Sequence, residues 1–417
     1  MKVREIAFKC LCGIMKKEEF ASLVMRYRHD GLSNNDQALL TTIVYGTLRH
    51  QMYLRYQWSL YVDNPIDQEI AILMDMSVYQ LLFMQKVPHY AVVNEAVQIA
   101  HDHKEGTYSR LVNAVLRKIS LSGAVKVEES DEIRKLAIET SHPEWLIRMW
   151  IAHYGWEACE KICREDLQQA KVALRVNVMK TTAEELLKDP LFVQGPVADS
   201  LYYRGNIVRT DYFRNHDVII QAVSSQQVVN TLDPQPDDLI LDVCASPGTK
   251  SFQMAMARND QGKIIACDIY PKRVELIDKG IKKYGLSSIE TKCCDGRMLA
   301  YYFTRGTFDK VLVDAPCSGL GTLKHKPEIK YNLKPEDLDD IVKLQAEILA
   351  AAGEMVKPQG ILVYSTCTLN KKENERQIAA FLADHPDFTL ISERTIFPFD
   401  EHSDGFYIAK LQRSMIE

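Results

Sequence analysis

The sequence lacks the features that mark membrane, secreted and zinc-binding proteins. No run approaches the roughly 18 consecutive apolar residues of a membrane span, and Glu5 and Lys9 interrupt the first apolar segment, which disfavours a secretion signal. The ten cysteines include no CxxC pair and no regular spacing of the secreted type. We therefore expect a protein of a reducing cytoplasm, without a membrane partner and without a metal site.

The chain also lacks an excess of positive charge, so its charge alone does not point to a nucleic acid. It carries 51 Lys and Arg residues against 56 Asp and Glu residues, a formal charge of −5, whereas phosphate binding depends on Lys and Arg. Residues 1–120 hold 14 basic and 12 acidic residues (+2), and the remainder holds 37 and 44 (−7). The amino-terminal third is the less acidic part, but +2 is too small to establish RNA binding.

Length and hydrophobic periodicity predict a multidomain chain, because 417 residues exceed one ordinary core. Residues 1–124 repeat apolar residues at helical spacing and predict an all-α domain. Residues 125–220 combine helical stretches with the strand candidates KVALRVNVMK, SLYYRG and NIVRT, which predict a small α+β module. In residues 221–417 apolar strands alternate with helices, and this predicts a doubly wound α/β domain.

The strands predicted in the last domain form a Rossmann-like sheet. They are 239–243, 263–268, 288–294, 309–315, 360–366, 388–394 and 405–411. No helix long enough for a crossover separates the last two, and parallel neighbours need such a crossover. We therefore expect a seven-stranded, mainly parallel sheet that closes with an antiparallel hairpin.

Polar groups follow successive strand ends in this domain. The loop after the first strand reads Cys244, Ala245, Ser246, Pro247, Gly248, Thr249 and Lys250. Asp268 ends the second strand, Asp295 follows the third and Asp314 ends the fourth. Ligands bind at such strand ends, a glycine admits close backbone approach, and an acid about 20 residues later suits ribose hydroxyls. Each signal alone also fits a plain strand-to-helix connection, but together they resemble the S-adenosylmethionine site of class I methyltransferases. A GxGxxG dinucleotide motif is absent.

Two cysteines follow the fourth and fifth strands, Cys317 in DAPCSGLGT and Cys367 in YSTCT. Two nearby thiols suit a reaction at C5 of a pyrimidine, because a thiolate that adds to C6 activates C5 and a second group assists elimination. Asp314 is suited to the cytosine edge, and Lys250 to positioning the base or lowering a thiol pKa. A strand-end cysteine is also a common apolar filler, and the residues alone do not order the two thiols.

The motifs as a set resemble the NOL1/NOP2/Sun family of RNA cytosine-C5 methyltransferases. They are QAVSSQQ, LDVCASPGTK, CDIYPKR, CDGR, DAPCSGLGT, LVYSTCT with KKENERQI, and DGFYIAKL. The amino-terminal part is similar to NusB-like RNA-binding domains through DQALLTTIVYGTLR, HYAVVNEAVQIA and SRLVNAVLRKI. This arrangement is similar to the bacterial Sun/Fmu branch, which modifies 16S ribosomal RNA. The resemblance implies S-adenosylmethionine as cofactor, 16S ribosomal RNA as partner and a monomer.

The resemblance also implies roles for particular residues. Cys367 corresponds to the nucleophile and Cys317 to the cysteine that assists product release. The implied cofactor residues are Cys244, Ala245, Ser246, Pro247, Gly248, Thr249, Lys250, Asp268, Arg273, Asp295 and Asp314. Thr249 stands where the family commonly has a second glycine, so the loop must accept a β-branched residue and cofactor affinity is in question.

A basic stretch after Cys317 is the candidate RNA contact. Lys324, His325 and Lys326 are suited to the phosphates around a base drawn out of its helix, although a solvated loop fits them as well. Two other functions stay open. One is a transfer RNA methyltransferase with the same chemistry, and the other is a non-catalytic RNA-binding or assembly protein, which the intact cysteine pair disfavours.

Overall fold

The chain forms two compact units in a computed structural model that describes residues 3–17, 19–26, 31–400 and 403–415. One unit comprises Met1–Gln169 together with Leu323–Lys334, and the other comprises Ala170–Thr322 together with Pro335–Glu417. The first unit is therefore built from two separated stretches of sequence. The domain boundaries expected at residues 124 and 220 stay predictions. Helices and strands are numbered below in chain order.

The first unit is helical in its described residues. Its helices are α1 (Val3–Lys17), α2 (Ala21–Arg26), α3 (Asn34–Ser59), α4 (Gln68–Phe83), α5 (His89–Lys104), α6 (Ser109–Ser122), α7 (Glu132–Thr140), α8 (Glu144–Tyr154), α9 (Trp156–Glu165) and α15 (Ile329–Asn332). Ser33 and Asp67 cap α3 and α4 by accepting backbone N–H groups, as residues at these positions commonly do. Helix α4 is buried along almost its whole length and packs against α3, α5 and α6. The predicted all-α fold of the amino-terminal part is confirmed.

A small antiparallel sheet opens the second unit. Its strands are β1 (Ala173–Val176), β2 (Phe192–Gln194), β3 (Ser200–Tyr203) and β4 (Val218–Ile220), in the order β2-β3-β1-β4. Two short helices accompany it, α10 (Ala183–Leu186) and α11 (Asp211–Arg214). Buried Leu174, Phe192 and Leu201 form its core. The predicted α+β module is confirmed.

One strand of this module was predicted at the wrong place. The segment NIVRT forms a 3₁₀ turn at Ile207–Arg209, because Thr210 then caps α11 by accepting from the Phe213 N–H and turns the chain. The sequence prediction also left out two strands of the module, Phe192–Gln194 and Val218–Ile220.

The large sheet has seven strands among the described residues. They are β5 (Leu239–Asp242), β6 (Lys263–Asp268), β7 (Ile289–Cys293), β8 (Phe308–Asp314), β9 (Val356–Thr366), β10 (Phe388–Ile396) and β11 (Phe406–Arg413). Their order is β10-β11-β9-β8-β5-β6-β7, and β11 runs antiparallel to both of its neighbours. The predicted Rossmann-like sheet with an antiparallel final hairpin is confirmed.

Helices cover both faces of the large sheet. They are α12 (Val223–Leu232), α13 (Thr249–Ala257), α14 (Pro271–Tyr284), α16 (Asp337–Met355) and α17 (Glu375–Asp384). Successive strand residues face opposite layers: Leu241 packs in one core with α16 and α17, and Ile240 in the other with α12, α13 and α14. No helix in the described ranges is long and apolar enough to cross a membrane.

Candidate active site

The carboxyl ends of β5, β6, β8 and β9 lie along one edge of the large sheet, because these strands are parallel. Asp268 and Asp314 end β6 and β8, and the cofactor-loop residues and both predicted catalytic cysteines follow the ends of β5, β8 and β9 in the chain. The topology therefore brings together groups as far apart in the sequence as Cys244 and Cys367.

The two predicted catalytic cysteines face each other. Cys317 Sγ and Cys367 Sγ are 3.3 Å apart, a distance at which one thiol proton is shared between two sulfur atoms. This shared proton is the main cause that raises the pKa of Cys317 well above its usual range, followed by burial and by the negative charge of Glu373.

Asp314 is held between two donors at the end of β8. Lys250 Nζ donates to Asp314 Oδ2 at 2.6 Å, and Ser365 Oγ donates to Oδ1 at 2.8 Å. The Lys250 ammonium also lies 5.6 Å from the centre of the Phe406 ring. These contacts fix the Asp314 carboxylate shortly before Cys317 in the chain. Asp314, Lys250 and the two cysteines, which the sequence predicted as a group, therefore lie close together.

The loop between β5 and α13 needs a glycine at position 248. Gly248 has φ +102°, and a Cβ there would lie 2.4 Å from Phe252 Cζ, so conformation and space both disfavour any side chain at this position. Thr249 is the first residue of α13 and Gly248 is its cap. The β-branched Thr249 thus occupies an ordinary helical position. Its replacement of the family's second glycine therefore does not strain the backbone of the turn.

Asp268 and Arg273 form an ion pair beside this loop. Arg273 Nε lies 3.3 Å from Asp268 Oδ2, and Oδ1 accepts the Tyr270 N–H at 3.2 Å. Arg273 O also accepts from Ser246 Oγ at 3.2 Å, which ties the loop to the start of α14. Asp268 is buried at the end of β6, beside the Gly248 turn, where a ligand can approach the protein backbone closely. A carboxylate at this position suits the two hydroxyl groups of a ribose.

Asp295 follows β7 and pairs with its neighbour. Arg297 Nη2 lies 2.6 Å from Asp295 Oδ2, and the Arg297 N–H donates to Oδ1 at 2.9 Å. The guanidinium is the main cause that lowers the pKa of Asp295. Asp268 is suited to the ribose of S-adenosylmethionine and Asp295 to its base. The Gly248 turn is suited to contacts between the cofactor and the protein backbone.

Sequence reasoning missed two buried acids of this region. Asp242 ends β5 and accepts from Ser251 Oγ at 2.6 Å, and burial raises its pKa to about 7. Glu373 is fully buried and accepts from the backbone N–H and the hydroxyl of Ser318, the residue after Cys317. Both acids lie inside quoted motifs, LDVCASPGTK and KKENERQI, but nothing in a linear motif distinguishes a buried acid from an exposed one.

The candidate RNA-binding stretch belongs to the helical unit. Lys324 is 5% exposed, and its Nζ lies 2.7 Å from Glu165 Oε1. This corrects the expectation for Lys324, because its ammonium is committed to a carboxylate and is not an exposed phosphate ligand. His325 and Lys326 are exposed, and their RNA contact stays a prediction.

The same stretch is anchored in the helical unit by further contacts. Lys330 is 1% exposed and donates to the Arg49 carbonyl at 3.1 Å, and burial lowers the pKa of Lys330 to about 7. Tyr331 donates to the Ser141 carbonyl at 3.1 Å. No group of three or more metal-ligating side chains occurs among the residues that the structure describes.

Three family models match the chain. Residues 229–412 match the model described as 16S rRNA methyltransferase RsmB/F, and residues 1–121 match the NusB family. Residues 142–189 match the ferredoxin-like domain described as Methyltr_RsmF/B-like. These matches cover the helical part, the small module and the large sheet.

Similar proteins span the whole chain. A Bacillus subtilis protein described as a probable ribosomal RNA small subunit methyltransferase B is 37% identical over 99% of this chain and 98% of its own length. The crystal structure of PH0851 matches with a TM-score of 0.81 at 24% identity over 99% of both chains. The structure of NSun6 from Pyrococcus horikoshii with SFG matches 66% of this chain and 99% of its own, with a TM-score of 0.60 at 20% identity. The last two support the fold alone.

A relative of this identity and coverage establishes the family. The methyl donor of these methyltransferases is S-adenosylmethionine, so the expected cofactor and the expectation of an RNA substrate are confirmed. The chain belongs to the RsmB/F family of 16S ribosomal RNA methyltransferases.

Proposed function

We propose that this chain methylates C5 of a cytosine in 16S ribosomal RNA through a transient covalent bond between Cys367 and C6 of that base. The observation that carries the proposal is the 3.3 Å contact between the sulfur atoms of Cys317 and Cys367, with Asp314 fixed at the end of the adjacent strand. Methylation of an amino group or a ribose hydroxyl needs no such pair of thiols.

The first step uses Cys367 as nucleophile. Its thiolate adds to C6 and displaces the π electron pair of the C5–C6 double bond toward C5 and the rest of the ring. C5 thereby becomes nucleophilic. Asp314 supports this step at the N3 or amino edge of cytosine, where charge changes on addition, because its carboxylate can accept from the amino group or from N3 once N3 is protonated. Held by the loop at residues 244–250 and by Asp268, S-adenosylmethionine would supply the electrophilic methyl group that C5 receives.

The second step uses Cys317 as base. Once Cys367 is bonded to C6 it carries no negative charge, so the main cause of the raised pKa of Cys317 is removed. Cys317 then releases its own proton to solvent and accepts the C5 proton. The C5–H electron pair re-forms the C5–C6 double bond, the C6–S bond breaks, and Cys367 departs as a thiolate.

The remaining assignments follow from position. Lys250 holds Asp314 in place through their 2.6 Å ion pair. Asp268 suits the cofactor ribose, and Arg273 orients Asp268. The residues proposed to line the cofactor are Cys244, Ala245, Ser246, Pro247, Gly248, Thr249, Lys250, Asp268, Arg273, Asp295 and Asp314.

The preference for 16S ribosomal RNA over transfer RNA rests on the family and on the name of the Bacillus subtilis relative. Purified protein is incubated with labelled S-adenosylmethionine and unmethylated 16S RNA, both free and in small subunits, and in parallel with unmethylated transfer RNA, and bisulfite sequencing then locates the mark. We expect one 5-methylcytosine in 16S RNA. A mark on transfer RNA alone contradicts the target, and no transfer to any RNA favours a non-catalytic assembly protein.

A further inference from the structure

A buried carboxylate braces the loop that carries Cys317. Glu373 is 0% exposed. Its Oε2 accepts from the Ser318 N–H at 2.9 Å and from Gln345 Nε2 at 3.0 Å, while Oε1 accepts from Ser318 Oγ at 2.6 Å and from Asn370 Nδ2 at 3.0 Å. Each oxygen therefore receives two donors, the full set that a carboxylate can bind. Two of the four come from the residue that follows Cys317.

The next residue in the chain braces the other cysteine. Asn374 is also fully buried. Thr366 Oγ1 donates to Asn374 Oδ1 at 2.6 Å, and Asn374 Nδ2 donates to the Thr368 carbonyl at 2.9 Å. These two threonines flank Cys367 in the sequence, so one amide fixes the backbone on both sides of that cysteine.

A direct hydrogen bond joins the two braced loops. Ser318 Oγ and Thr368 Oγ1 are 2.6 Å apart. Because the single hydroxyl proton of Ser318 is donated to Glu373, Thr368 must be the donor in this contact. The direction of every bond from Glu373 to Thr368 is thereby defined, and the network runs continuously from the Cys317 loop to the Cys367 loop.

We propose that Glu373 and Asn374 are positioning residues that hold Cys317 and Cys367 at reacting distance. The proposal rests on the proposed function, in which Cys317 removes the C5 proton. Four donors around a buried carboxylate exceed what a neutral group of the same shape could bind, so the network selects a charged residue at this position. That charge is one of the causes that raise the pKa of Cys317.

The test is Glu373→Gln in the full-length protein. The amide presents two N–H groups where one oxygen accepted two donors, so Ser318 and its partners cannot all remain bonded. Losing hydrogen bonds to a charged group corresponds to a fall of about ten- to hundredfold in kcat, and we expect KM for S-adenosylmethionine and for RNA to stay unchanged. Slow proton removal from C5 should also let the protein–RNA adduct accumulate on denaturing gels.

The pH profile gives a second measure that a merely structural role would not move. Removing the negative charge lowers the pKa of Cys317, so the acid limb of the kcat profile should move to lower pH while its plateau falls. Glu375→Gln is the matched control, because it makes the same change two residues later, where the carboxylate accepts from Thr395 Oγ1 at 3.0 Å. It should leave the profile unchanged.

Two further variants keep the test decisive if Glu373→Gln does not fold. Ser318→Ala removes one of the four bonds, and Asn374→Ala removes the brace around Cys367, so each should lower kcat at constant KM. Calorimetry and cofactor binding are measured on every variant. Wild-type kcat in these variants, or a loss of stability and cofactor binding without adduct, overturns the positioning proposal. If the wild-type protein itself transfers no methyl group to cytosine C5, the proposed function fails first.

Discussion

Cys317 Sγ and Cys367 Sγ lie 3.3 Å apart, a contact in which either sulfur can be the donor. The hydrogen bond with Cys367 and burial raise the pKa of Cys317, which agrees with the proposal that Cys367 is the nucleophile. Family resemblance ranked the two cysteines in the same order, whereas the sequence motifs alone left the order open. The contact brings the two sulfurs together, and the order of their roles rests on the family resemblance.

Asp242 makes stability depend on pH. Burial raises its pKa from 3.8 to about 7 in the folded chain, so between these values the unfolded chain has lost the proton that the folded chain retains. Stability contributed by this group is present below about pH 4 and is lost as pH rises through about 7. Asp242→Asn should therefore raise the free energy of unfolding at pH 8 by up to about 4 kcal/mol, and with it the unfolding temperature. At pH 4.5 the substitution should change both quantities little.

Calorimetry of the full-length protein without cofactor measures this difference. Asp237→Asn, which changes an exposed acid just before β5, is the control and should show no pH-dependent gain. An Asp242→Asn variant that is equally destabilised at both pH values would contradict the assigned ionisation.

Strand-end acids were predictable as a class, but their surroundings were not. The positions of Asp268 and Asp314 follow from strand boundaries, which apolar runs define well. The burial of Glu373 and Asp242, and the pairing of Lys324 with Glu165, depend on residues far away in sequence. A linear motif carries no information about such partners, so the role of Glu373 went unseen and Lys324 was assigned to RNA.

The turn between β5 and α13 depends on Gly248 more than on its neighbour. We predict that Gly248→Ala weakens binding of S-adenosylmethionine about tenfold, because the added methyl group displaces Phe252 and the residue must also keep a positive φ. Isothermal titration calorimetry measures the affinity.

Gly285→Ala is the matched control for that prediction. Gly285 also has a positive φ, of +66°, but no atom lies within 4 Å of the position its Cβ would take. It ends α14, so the substitution tests backbone strain without the clash. Equal affinities of the two variants would contradict the importance of the Gly248 turn.

Elements with strong apolar periodicity were predicted almost at their observed bounds. All seven large-sheet strands were expected within a few residues, and β6 was expected at its observed bounds, Lys263–Asp268. The small module was harder, because NIVRT has strand-like composition but its end is captured by the Thr210 cap. Strand β4, only three residues long, carries too little periodicity to be recognised.

Neither of the two units is a single continuous stretch of sequence. Leu323–Lys334 interrupts the sequence of the second unit and folds with the helical unit, where Lys324 and Lys330 are buried. Sequence pattern predicted the small module, pattern and resemblance together predicted the helical part and the methyltransferase sheet, and the family models match each of them. The return of residues 323–334 to the first unit is a long-range contact that local pattern does not encode.

Covalent trapping tests the account's central claim most directly. Cys317→Ala and Cys367→Ala proteins are each incubated with 16S RNA and S-adenosylmethionine and run on denaturing gels. Both substitutions should abolish turnover, but only Cys317→Ala should retain RNA as a covalent adduct, because Cys367 still adds to C6 and the base for elimination is missing. An adduct formed by Cys367→Ala, or none with either variant, would contradict the assignment of Cys367 as nucleophile.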